Sequence, residues 1–529
     1  MTPAFDAWLD AFFASYFRRR PVNATFIGMH AYDDVLPDLS EQGRADTLAD
    51  ADDLLRRLRA LPVEPLDAWQ TIDRQLAEGF LLIQRWESGS AHFGPSNPSL
   101  WTGEAIFGLI SLLLRPFAPL EERLTHAAAR LRRVPPFLDV ALAPAPAAWI
   151  ARARRECTGA ELLLRDVAEA FPALREPTKV AAEAFARFDA SLAELRATED
   201  YACGAEAFDL LLRSGHMLET DADGLERLAL ARIDEEQSAL AQSSPHPEPL
   251  SQGARGDYLV RFETLWDAAR DLAAQHDLLT FPDWPVRYVE RPMWARAAAP
   301  YLYFLPYRSP APLDEVPVVE YLVPPGADDA TIKLNHVVHH GSLGHHVQNW
   351  FAARSKSRIG RIAAVDCASR IAMLCGGTMA EGWALYATDL AEEAGFLTPA
   401  ESYGQRGARI RMAARAVVDV RLHQGRCSLS DAVRYYVETV GMAPSAAEAE
   451  AVKNSLFPGA ACMYLAGWNG LWRLRRQLGA GSLREFHDRL LAFGSIPVSL
   501  VERALLSEED SADVFDASSR VPALGSNGR

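Results

Sequence analysis

Apolar residues recur every three or four positions, among Ala, Leu, Glu and Arg, through 122–133 (ERLTHAAARLRR), 178–198 and 223–243. That spacing predicts amphipathic helices. Prolines punctuate them at Pro135-Pro136, Pro144, Pro146, Pro172 and Pro177. The polar stretch SSPHPEPLSQGARG at 243–256 reads as an exposed loop. It divides a helical half of about 1–245 from a second half of about 257–510. Between 286 and 325 the texture changes: VRYVE, PYLYFLPY and VPVVEYLVPP are rich in Val, Tyr and Phe and bounded by Pro. These segments predict a few short strands. The helical pattern returns after 331, and the polar residues 511–529 read as a frayed tail. The expected fold is mainly α, with a small strand-containing segment before a histidine-rich stretch.

Composition adds limits. Of 529 residues 49% are hydrophobic and 23% charged, enough for a large core. Length alone allows about three domains. The balance of 70 acids against 54 bases gives a net charge of -16, which disfavours nucleic acid and anionic membrane surfaces as partners. The expected partner is a small molecule or a short peptide. Cys157, Cys203, Cys367, Cys375, Cys427 and Cys462 are sparse and form no C-x-x-C pair. That argues against a disulfide framework and a cysteine-rich zinc site, and makes a reducing cytoplasm the simplest compartment. The first twenty residues place Asp6 and Asp10 before the arginines, the reverse of a secretory signal. The apolar run 105–114 is half of what a bilayer requires.

Five of thirteen histidines lie in TIKLNHVVHHGSLGHHVQNW (331–350): His336, His339, His340, His345 and His346. Neutral imidazole is a common metal ligand. On a regular helix His339 and His346 share a face, but two turns apart, about 10.5 Å, too far for two ligands of one ion. A break at Gly341 and Gly344 would bring them together, with either His345 or His346 turned inward. After Gly376-Gly377, Glu381 is expected in the first turn of the next helix, where the dipole favours an acid. Histidines from one segment and a carboxylate from the next form a frame suited to a zinc hydrolase. Two further features have plain readings beside functional ones. The run at 101–117 is a core helix or a cleft wall, and Arg411 with Arg415 is a solvated face or a carboxylate clamp.

At these residues the chain resembles the bacterial "domain of unknown function 885" family. Its pattern runs approximately H-E-x-x-P-G-H-H, E-G-W-A-x-Y, Y/F-P-G-Q-A-x-x-Y-K and R-E-F-H-D. The corresponding segments are HHGSLGHH (339–346), EGWALY (381–386), FPGAACMYL (457–465) and REFHD (484–488). RPVNATFIGMHAYDDVLPDLS (20–40) and DVRLHQGRCSLSDAVRYY (419–436) match as well. The resemblance implies one mainly helical, zincin-related catalytic domain over the whole chain, of a metal-dependent, peptidase-like kind. Carried over, it places the metal ligands at His339, at His345 or His346, and at Glu381. It also implies that His423 and Tyr464 face the cleft, Tyr464 as a donor to a developing oxyanion. On its own sequence Tyr464 reads equally as a core aromatic, His423 reads first as structural, and His487 reads as a packing residue.

The chain departs from the pattern where chemistry is expected. His340 replaces the glutamate that acts as general base, and no carboxylate lies between Thr331 and Trp350. Leu343, Ala460 and Leu465 replace proline, glutamine and lysine. His340 is either the replacement base or a third nitrogen ligand. The expected cofactor is a divalent metal, zinc first, with iron, manganese and copper compatible with a histidine-rich set. Three functions follow as expectations. One is a hydrolase of a small amide, peptide or ester with His340 as base; another is a non-hydrolytic metalloenzyme (elimination, isomerisation or rearrangement). The third is a non-catalytic binding protein.

Overall fold

Where the apolar period is clearest, the helices form. Leu120–Leu138 and Ala222–Gln242 account for 122–133 and 223–243, the last capped by Asp221, whose side chain accepts from the Gly224 N–H at 2.8 Å, while the helix over 178–198 runs Arg175–Ala193 and stops before Ala197–Thr198, which form a strand. The computed structural model describes residues 3–64, 66–114, 116–243, 258–296, 319–324, 326–361 and 376–510. The chain is mainly α-helical, with two small two-stranded parallel sheets among the described residues. One pairs Ala145–Pro146 with Ala197–Thr198; the other pairs Val286–Glu290 with Val319–Val323, with Tyr288 opposite Tyr321. The second pair accounts for two of the three expected strand segments. PYLYFLPY, most of the loop at 243–256, Cys367, Cys375 and the tail lie outside the described residues.

A continuous hydrophobic cluster runs from Phe5 to Leu505 and takes in both halves. Polar bonds cross between them: Asp73 accepts from the Arg358 and Ile359 N–H groups at 2.9 and 3.1 Å, and Trp149 donates to Ser455 Oγ at 2.9 Å. Helix Ser99–Leu113, inside the apolar run at 101–117, is buried along almost its whole length and packs on Leu120–Leu138, so it is a core helix.

The motif at 20–40 builds a cage. Arg130 is almost wholly buried and makes six hydrogen bonds: to the carbonyls of Pro21, Tyr32, Val35 and Gly108, and to the hydroxyls of Thr25 and Ser111. Thr25 in turn donates to Asp33 at 2.6 Å. An arginine that deep persists because every donor finds an acceptor.

Two helices set the backbone of the second half. Gly377–Glu393 packs on Met463–Leu478 through Gly382 and Gly467. A Cβ on Gly382 would fall 2.4 Å from the Gly467 carbonyl carbon, so only glycine permits this approach. Asp389 locks the pair, accepting from Trp468 Nε1 at 2.5 Å, Trp472 Nε1 at 2.8 Å and Arg409 Nε at 3.0 Å. Among the described residues no helix is long and apolar enough to cross a membrane.

Candidate metal centre

The histidine segment is not a regular helix. Asp328 caps it, accepting from the Thr331 N–H at 2.8 Å, and residues Ile332–Gly341 then wind as a π-helix. The winding stops at Ser342, and a new helix, His345–Ala352, begins after Gly344. π-Helical turns are rare and tend to mark functional sites. The break folds the chain back on itself. A Cβ on Gly344 would lie 1.8 Å from the His339 carbonyl oxygen, so glycine is required there.

Flanking tryptophans hold the break by carbonyls that the broken winding leaves unpaired. Trp266 Nε1 donates to the Gly341 carbonyl at 2.7 Å, and Trp383 Nε1 donates to that of Leu343 at 2.9 Å. Trp383 stands two residues after Glu381 on the Gly377–Glu393 helix, so one bond ties the histidine segment to the carboxylate's helix. The helix starts at the glycine pair because Gly376 adopts the left-handed conformation at its cap. Glu381 therefore sits beyond the first turn, and the expected dipole stabilisation at that position does not apply.

With this geometry His339, His340 and His345 converge. One nitrogen from each lies within 4.8 Å of the other two. His339 Nε2 and His345 Nε2 are 3.6 and 3.5 Å from Glu381 Oε2. Those separations are long for hydrogen bonds. Two donors each about 2.1 Å from one tetrahedral ion would stand about 3.4 Å apart, close to what is observed. The side chains of His339, His345 and Glu381 keep 14%, 12% and 17% of their surface accessible, so the group is reachable from solvent.

Electrostatics suits a cation. Burial holds His339 below its ordinary pKa, against the pull of Glu381, and burial with the neighbouring imidazoles holds His340 well below it. Burial pushes the Glu381 carboxyl up, but the imidazoles of His345 and His339 outweigh it and hold it well below the usual carboxylate range. At neutral pH the pocket therefore contains neutral His339 and His340 beside an ionised carboxylate. His340 Nδ1 donates to the Asn335 carbonyl at 2.6 Å, which fixes the tautomer and leaves Nε2 with a free lone pair.

The remaining predicted residues lie elsewhere or in supporting roles. Of the two histidines left open by the sequence, His345 joins the cluster, while His346 is buried in the core beside Phe281. The break at 342–344 makes His345 the first residue of a helix, which shifts its direction by more than regular winding allows. His336 is held by the Tyr321 hydroxyl at 2.8 Å. His423 is fully buried, bonds the Asn454 carbonyl through Nε2 at 2.8 Å and packs on His92 and Phe208. Tyr464 is partly buried under the Arg415 guanidinium, beside a small cavity lined by Glu450, Phe457 and Ala460. His487 is buried between the Tyr386 hydroxyl and the Leu278 carbonyl. Leu343 and Leu465 are core residues, so two of the apolar replacements lie in packing.

Sequence reasoning missed the two tryptophans that hold the break. Their indoles were readable only as helix-face aromatics until the carbonyls they serve were in place.

Comparison with known proteins bears on the whole chain. The family model described as "Bacterial protein of unknown function (DUF885)" matches residues 21–505. The structure named as a "putative lipoprotein of unknown function" from Shewanella oneidensis superposes with a TM-score of 0.73 at 19% identity, covering 95% of this chain and 99% of that one. That of the "putative lipoprotein" from Colwellia psychrerythraea gives 0.73 at 18% identity, covering 96% and 99%. At such identities the likeness is one of fold. Among curated proteins, none matches.

Proposed function

The chain belongs to the bacterial DUF885 family, and from its geometry we propose that it is a metal-dependent hydrolase of a small amide, peptide or ester. The observation that carries this reading is the convergence of three imidazoles within 4.8 Å, with Glu381 3.5–3.6 Å from two of them. His339, His345 and Glu381 would hold the cation. Two nitrogens and one carboxylate oxygen suit zinc. When bound, the ion would act as a Lewis acid toward the substrate carbonyl. The protein's own part is positional. The tryptophan-held break keeps the imidazoles at fixed spacing, and Asn335 keeps His340 Nε2 ready to accept a proton from the attacking water.

A second reading is favoured by the close packing of His340 with the other two rings. Its centroid is 4.6 Å from that of His339 and 5.2 Å from that of His345. There His340 serves as a third nitrogen ligand. Iron, manganese or copper then fit as well as zinc. The chemistry would be non-hydrolytic proton transfer on a small polar molecule, because the centre has no separate base.

One experiment separates these. Protein purified without added metal is analysed for metal content as wild type, His339→Ala, Glu381→Ala and His340→Ala. The hydrolase reading expects near one ion per wild-type chain, loss in the first two variants and retention in the third. Loss in all three favours the second reading. Wild-type content in both His339→Ala and Glu381→Ala overturns the metal centre. Once a substrate is found, labelled water oxygen entering product identifies hydrolysis.

A further inference from the structure

The long helix Pro399–His423 carries five arginines, and four of them are spoken for. Arg406 pairs with Glu236 at 3.1 Å, Arg409 with Asp389 at 2.5 Å and Arg421 with Glu226 at 2.6 Å. Arg415 grips Glu450 with both ends of its fork, at 2.6 and 2.9 Å. Arg411 has no hydrogen bond or ion pair among the described residues, in a chain with 16 more acids than bases. It is also the one whose charge acts on His339, and it neighbours Arg415, Glu450 and Tyr464. Its side chain is exposed, yet enough protein surrounds it that desolvation lowers its pKa. A side chain in the wall of a cleft has that combination.

The same face of the helix is kept open. Gly404 and Gly407 lie seven and four residues before Arg411, on its side of the helix. A Cβ on either would meet nothing within 4 Å. Glycine inside a helix costs about 1 kcal/mol against alanine. No packing constraint around these two requires glycine, so this side of the helix is uncovered up to Arg411.

We propose that Arg411 receives a carboxylate of the substrate, so that the site takes a small carboxylic acid derivative. The planar guanidinium fork matches a carboxylate in two parallel bonds. Arg415 cannot do this, because Glu450 occupies it. The carboxylate docks on Arg411, and the reactive carbonyl is thereby offered to the His339, His345 and Glu381 side. This inference rests on the metal-centre reading for the reacting end only; the anion site itself depends on Arg411 alone.

The test is calorimetric titration of succinate and its monoamide, succinamate, into zinc-reconstituted and chelator-treated protein. Wild type is expected to prefer succinate by about tenfold or more in both forms. Arg411→Ala is expected to abolish the preference and Arg411→Lys to keep part of it. Arg476→Ala, at an exposed arginine on another helix, is expected to leave it intact. Thermal midpoints check that the variants are folded. An unchanged preference in folded Arg411→Ala, or none in wild type, overturns the proposal. If zinc fails to bind, the metal-centre reading falls, while the chelator-treated arm still decides Arg411.

Discussion

The Arg130 cage and the imidazole cluster are both buried polar assemblies, and they are built to opposite ends. Arg130 makes six hydrogen bonds to groups that have nowhere else to turn. His339 Nε2 and His345 Nε2 stand 3.6 and 3.5 Å from Glu381 Oε2, too far for strong hydrogen bonds. A buried polar group without a partner costs about 1–3 kcal/mol, a cost that Arg130 avoids at each of its nitrogens. The imidazole cluster has no such set of short bonds among its own members.

The largest effect is expected from the histidines buried in the fold. Burial holds His92, His336, His346 and His487 down to about 4 and His423 to about 3. These five are neutral in the fold, whereas the unfolded chain takes up protons near pH 6.5. Stability should therefore be complete above pH 6.5 and fall steadily as pH drops toward 4. Urea unfolding of chelator-treated protein across that window measures it, and a flat profile would contradict the assignment.

Next in size is Arg130→Met. It strands carbonyls in the core and should cost about 3–5 kcal/mol, with metal content per folded chain unchanged. A cost below about 1 kcal/mol would mean the cage is ornamental. Gly344→Ala should act on the imidazole cluster through its backbone. Its Cβ has to displace the His339 carbonyl, at about 1–3 kcal/mol, and the metal affinity should fall with it.

Glu381→Gln should cost stability with and without metal, for different reasons. In chelated protein it removes a carboxylate whose ionised form the His345 and His339 imidazoles favour, and stability should fall by about 1 kcal/mol. In excess zinc the wild type gains about 2.7 kcal/mol at a hundredfold over its Kd, and the variant should gain almost nothing. Thermal midpoints with and without zinc measure both. The smallest effect is expected at Gly404→Ala, where open space and a helical backbone predict up to about 1 kcal/mol of added stability and unchanged metal content.

Much of the fold was legible because it is local. The apolar period at 122–133 or 223–243 is enough to specify a helix, and the Val- and Tyr-rich texture at 286–325 flagged the strand pair. The site was half legible. Histidine density marked the segment, and its two glycines marked the break. What the spacing could not supply was direction. Whether His345 or His346 turns inward depends on π-helical winding and on indoles from residues 266 and 383, which tie down carbonyls far away in sequence. The position of Glu381 in its helix depended on a left-handed glycine, and the spare valence of Arg411 depended on four neighbours finding acids on other helices.

His345 and His346 are adjacent in sequence and divide cleanly between the two kinds of environment. Metal content of His345→Ala and His346→Ala, each purified without added metal and checked for folding, therefore decides whether the cluster holds an ion. His345→Ala is expected to lose the ion and folded His346→Ala to retain it. The reverse pattern, or wild-type content in His345→Ala, would rule out the metal centre as assigned.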